Sequence, residues 1–90
     1  MANRIGISHI ELVVENLHIL ANGYRDQGKY VKAGARYRQA IAILGGIEPG
    51  DRKHSILAKI LEDEATMLRK MKCGNVAAVI ERYAEVVRSK

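Results

Sequence analysis

Apolar side chains recur along this chain at steps of three and four, in four blocks parted by glycine. That step is the period of an α-helix with one buried face. In the first block Ile10, Val13, Val14, Leu17, Leu20, Ala21 and Tyr24 share a stripe, which predicts a helix from Ser8 to about Gln27. Ser8 and Glu11 have the spacing of a capping box, in which each side chain bonds the other's backbone N–H. Residues 1–7 are therefore expected to form a flexible tail. Gly28 is a natural stop, since glycine takes positive φ at little cost.

The second block, Tyr30 to Leu44, buries Ala33, Tyr37, Ala40, Ile41 and Leu44 and ends at Gly45-Gly46. Ile47-Glu48-Pro49-Gly50 reads as a loop and holds the only proline. Asp51 can cap a third helix running to about Lys72, with Ile56, Leu57, Ile60, Leu61, Ala65, Leu68 and Met71 inward. Gly74-Asn75 marks a break, and Asn75 is a good N-cap for a fourth helix, which runs to about Arg88 and buries Val76, Ala77, Ile80, Ala84 and Val87. No segment keeps the two-residue alternation of a strand. Gly23 and Gly34 lie inside helical blocks, where each costs about 1 kcal/mol against alanine; close helix contact is the expected reason for both. The expectation is an all-α fold: two antiparallel helical hairpins in one domain over residues 8–90.

The two hairpins can be laid on each other. Leu17 and Leu61 stand 44 positions apart (61 − 17), and the same shift takes Ala21 to Ala65, Arg25 to Arg69, Ala33 to Ala77 and Ala40 to Ala84. Tyr24 goes to Leu68 and Ile43 to Val87, which keeps an apolar residue in both places. Small residues fall on small where two helix axes come closest. The shift also places Glu64 on Leu20 and Glu81 on Tyr37. The second unit is thus the more divergent one.

Leu17, Leu20-Ala21, Tyr24, Gly28, Tyr30, Ala33, Tyr37 and Ala40 resemble a tetratricopeptide repeat. Tyr24-Arg25-Asp26-Gln27-Gly28-Lys29-Tyr30 with Ala40-Ile41-Ala42-Ile43 is similar to the longer repeats of kinesin light chains, whose extended loop Gly45 to Gly50 would match. The generic repeat is about 34 residues, so a wider spacing requires that insertion. The resemblance covers about Val14 to Val87, with repeat one at about 14–47 and repeat two at about 55–90. It implies a right-handed stack whose first helices line a concave groove for a peptide or partner helix, with no catalysis. Carried over position by position, it implies groove residues His18, Asn22, Arg25 and Asp26 in the first unit and Glu62, Thr66, Arg69 and Lys70 in the second. It also implies an apolar face left uncovered at each end, hence self-association, most simply as a two-fold dimer. Gly28-Lys29-Tyr30, Ala33, Tyr37, Ala40, Ser55-Ile56 and Ala58-Lys59 are similar as well to microtubule-interacting and trafficking domains, three-helix bundles that bind amphipathic helices. Against that reading, Ala77 and Ala84 of the fourth helix fit the repeat shift.

Composition narrows the picture. Ninety residues make one small domain, which buries roughly 60–65% of its unfolded surface. Apolar residues are 48% and charged residues 28%, as in an ordered globular chain. Four tyrosines are the only aromatic side chains besides histidine, and their period predicts that they are buried. Cys73 is the single cysteine, so no internal disulfide or zinc framework exists, and a reducing cytoplasm is the expected location. No secretory signal or membrane-spanning run is expected. The net charge of +5 would suit an acidic partner, nucleic acid included. Lys29, Lys32, Arg36, Arg38, Arg52, Lys53, Arg69, Lys70 and Lys72 are, however, spread around their helices among Asp26 and Glu62, with no aromatic track for stacking. A basic nucleic-acid-binding protein is the alternative this leaves.

Candidate chemistry is sparse. His9, His18 and His54 never stand three or four apart, so no helical metal pair exists. The glycines of Gly45 to Arg52 have phosphate-loop spacing, but Asp51 occupies the position of the required lysine and a helix precedes instead of a strand. Glu62-Asp63-Glu64 reads as a solvated acidic face. No catalytic constellation, cofactor or metal is expected.

Overall fold

The computed structural model describes the backbone of residues 2–89 and the side chains of residues 9–89. The fold is all-α, with no strand among the described residues. Its four helices are α1 (Ala2–Asp26), α2 (Tyr30–Gly45), α3 (Asp51–Lys70) and α4 (Gly74–Arg88). α1 packs on α2 and α3 on α4 as two hairpins; α3 also lies against α2 and, less closely, α1. Among the described residues α4 has its backbone near α3 alone.

The hairpin turns are copies of each other. The Lys29 N–H reaches the Tyr24 carbonyl (2.8 Å) and the Gly28 N–H reaches that of Arg25 (2.9 Å). Forty-four residues on, the Cys73 N–H reaches the Leu68 carbonyl (2.8 Å) and the Lys72 N–H that of Arg69 (3.0 Å). Both are Schellman caps, which satisfy carbonyls that a helix end leaves without partners. Each needs a left-handed residue. Gly28 supplies it at φ 77°, Lys72 at φ 64°. Lysine pays the Cβ clash that glycine avoids.

The core follows the repeat. Ala21 and Ala65, Ala33 and Ala77, and Ala40 and Ala84 are all buried, and Tyr37, Leu44, Ile60 and Val14 are the largest side chains fully enclosed. Small side chains at these paired positions let the two axes of each hairpin approach.

Several boundaries and faces differ from expectation. α1 is already helical at Ala2, so Ser8 lies within a helix instead of capping one. Gly50 takes the N-cap position of α3 and Cys73 that of α4, with no side-chain cap from Asp51 or Asn75. Ile10, Val13, Leu20, Met71, Val76 and Tyr83 are exposed, whereas Ala58 and Met67 are buried. α1 and α4 end the layer, so each is covered over a narrower arc than its apolar stripe. Nor does close contact explain the helical glycines. A methyl at Gly23 would meet nothing within 4 Å, and at Gly34 only ordinary contacts of 3.6–3.7 Å with Arg38 and Met67.

Candidate functional site: a groove between α1 and α3 and the polar cluster beside it

α1 and α3 flank an open groove of about 880 Å³. α1 contributes Glu11, Leu12, Val14, Glu15 and His18; α3 contributes Asp51, Arg52, Ser55, Ile56 and Lys59. Leu12 and Ile56 give it apolar surface over the buried Val14, and Glu11, Glu15 and Asp51 line it together with Arg52 and Lys59. Arg52 is paired with Glu11 across it. A smaller, more apolar pocket of about 190 Å³ adjoins at Ile10, Val14, Leu44, Ile47 and Ile56.

Beside the groove lies a polar cluster that ties three helices together. Asp63 of α3 receives His18 Nε2 at 2.6 Å and Asn22 Nδ2 at 3.2 Å on one oxygen. An ionised carboxylate only accepts, so the His18 proton sits on Nε2. The Tyr37 hydroxyl of α2 donates to Asn22 Oδ1 at 2.5 Å and accepts from Arg25 at 3.3 Å. Arg25 also reaches the Asp63 backbone carbonyl at 3.5 Å and Asp26 at 3.1 Å. Burial pushes the Tyr37 phenol up to about 12; Asp63 adds to the rise and Arg25 opposes it. Burial pulls Arg25 down, but its bond to Asp26 and the nearby oxygens of Tyr37 and Asp63 outweigh that and hold it above its ordinary value.

Of the eight groove residues carried over from the resemblance, His18 alone lines the groove. Asn22 and Arg25 are engaged in the cluster, and Asp26 is exposed beside Arg25. Glu62 is paired with Arg88, which holds its carboxyl below the usual range, and Arg69 does the same to Glu81. Thr66 bonds the Glu62 carbonyl, and Lys70 is exposed. Arg25 and Arg69, expected as a matched pair for an acidic peptide, therefore hold partners inside the molecule. The acidic face is also corrected: Asp63 is only 17% exposed, and burial raises the Glu64 carboxyl against the pull of Arg38. His54 is half-buried, with its Nδ1 shielded from solvent.

Sequence reasoning missed Asp63 and the groove's α3 wall of Asp51, Arg52, Ser55, Ile56 and Lys59. The repeat shift carried a signal for Asp63, since it places that residue on the exposed Ile19. A carboxylate there faces the preceding hairpin's polar residues. Among the described residues no three His, Cys, Asp or Glu side chains converge to hold a metal, and no helix is long and apolar enough to cross a membrane. Against family models, curated proteins and solved structures, nothing matches this chain.

Proposed function

We propose that the chain is a non-catalytic protein–protein interaction module, a tetratricopeptide-like pair of hairpins that acts as an adaptor or scaffold. The carrying observation is the α1–α3 groove, with apolar surface at Leu12 and Ile56 and charges of both signs at Glu15 and Lys59. A peptide or helix of a partner would lay apolar side chains along the groove and charges of both signs on its rim. The polar cluster fits a positioning role: it fixes α3 against α1 and so sets the groove's width. The reading fits a reducing cytoplasm, where the thiol of Cys73 stays unpaired. The nucleic-acid alternative is disfavoured because Arg25, Arg52, Arg69 and Arg88 already face carboxylates.

The test uses a photo-crosslinking residue at Ser55 in the groove and another at the exposed Gln39 of α2, in cells of the native source. A protein captured from Ser55 and not from Gln39 is expected. Its binding should weaken when Lys59→Glu is introduced and recover when that partner's facing charge is inverted. Equal capture from both positions would overturn the groove reading.

A further inference from the structure

We propose that the outer face of α1 is a homodimer interface, on which a second copy of this chain lays its own α1 antiparallel. The face borders the groove at Leu12, which lines both, whereas its Val13, Ile19 and Leu20 lie outside the groove. It carries Leu12 (54% exposed), Val13 (47%), Ile19 (63%) and Leu20 (44%). The molecule itself shows how such a face is used. The 44-residue shift takes Leu12, Val13, Asn16, Leu20 and Gly23 to Ile56, Leu57, Ile60, Glu64 and Met67 of α3. Those five are half-buried or buried. A methyl on Gly34 of α2 would touch Met67, Arg38 of α2 faces Glu64, and Asp63, the counterpart of Ile19, is bound by α1. The α3 face is thus where the first hairpin docks. The same face on α1 is also largely apolar, and its Leu12, Val13, Ile19 and Leu20 are exposed.

Two considerations select a second copy in two-fold register. A head-to-tail copy would have to offer the α4 face that corresponds to Tyr30, Gly34, Tyr37, Ile41 and Leu44 of α2. On α4 those positions are Gly74, Ala78, Glu81, Glu85 and Arg88, with Glu81 and Arg88 already ion-paired. That face is polar and closed to an apolar partner. By contrast, α1 is self-complementary. With Asn16 at the two-fold axis, Leu12 stands level with Leu20 of the copy and Val13 level with its Ile19. Asn16 meets Asn16, and side-chain amides both donate and accept. Between Leu12 and Gly23 the one carboxylate, Glu15, points into the groove, so the pairing brings no like charges together at its centre. The rival stripe on α4, Val76, Val79, Tyr83 and Val86, is also exposed. The Val79→Glu variant below separates the two faces.

Sedimentation equilibrium on the full chain tests the assignment, with helicity checked by circular dichroism. The wild type is expected to be a dimer at micromolar concentration. Ile19→Glu, on an exposed position, should weaken dimerisation about 100-fold or more while keeping its helicity, and Val79→Glu should leave it unchanged. In a Cys73→Ser background, Asn16→Cys should form an interchain disulfide under mild oxidation and Gln39→Cys should not. A wild type that stays monomeric at high micromolar concentration would overturn the proposal and leave the face to a helical hairpin of another protein. An Ile19→Glu protein that still dimerises, or dissociation by Val79→Glu instead, would overturn it too.

Discussion

The two hairpins hold the same arginine at the same place and use it differently. In the first, Arg25 meets the hydroxyl of Tyr37, which is fully buried. In the second, Arg69 meets the carboxylate of Glu81, with both side chains about half exposed (51% and 43%). The helix geometry is shared, since both pairs are 12 residues apart. What differs is the neighbourhood: α2, which holds Tyr37, lies between α1 and α3, whereas among the described residues α4, which holds Glu81, lies against α3 alone. A covered position demands bulk with one satisfiable polar atom; an open one accepts a charge. The charge at Glu81 therefore suits a hairpin at the end of the layer.

The largest effect should come from the closest approach. Leucine at Ala33 and Ala40 together overfills the α1–α2 contact, at about 1–3 kcal/mol per site, enough to unfold much of a small domain in a thermal melt. An unchanged melting temperature would refute the packing scheme. Next, exchanging the arginine partners should be asymmetric. Tyr37→Glu buries a carboxylate near Asp63 and should cost about 3 kcal/mol or more, whereas Glu81→Tyr should leave the melting temperature essentially where it was. Equal costs would mean that burial does not separate the two sites.

The alkaline limb of stability gives a third, similar test. Folding raises the Tyr37 phenol from 10 to about 12, so the folded state holds this proton more tightly. Its contribution is complete below pH 10 and disappears as pH climbs through 12, a loss of about 2–3 kcal/mol. Denaturant melts between pH 9 and 12 should show that slope in the wild type and lose it in Tyr37→Phe. The smallest effect belongs to the turns: Lys72→Gly should stabilise by about 1 kcal/mol by relieving the left-handed strain, and Gly28→Ala should destabilise by a similar amount.

The hairpin pattern was legible because it rests on short-range periodicity. The stop at Gly28, the glycine pair after α2 and the buried alanines follow from local geometry that the residues encode directly. The polar cluster was not legible. Asp63 looked like one of three adjacent carboxylates, and only the docking of α3 turns it toward His18 and Asn22, more than 40 residues away. The second turn was misread for a related reason. Lys72 adopts the glycine-like conformation, so the break expected at Gly74 falls two residues late. Exposure of Val13, Leu20 and Val76 escaped notice because periodicity reports which residues share a face, not whether another helix lies against it.

Among the described residues α4 has its backbone near α3 alone, so it can open without parting α1 from α2 or α2 from α3. Its amide protons should therefore exchange with solvent ahead of those in α1 to α3. Local melting at this margin leaves the contacts of α1 with α2 and α3 in place, so one end of the layer can open while the groove keeps both its walls.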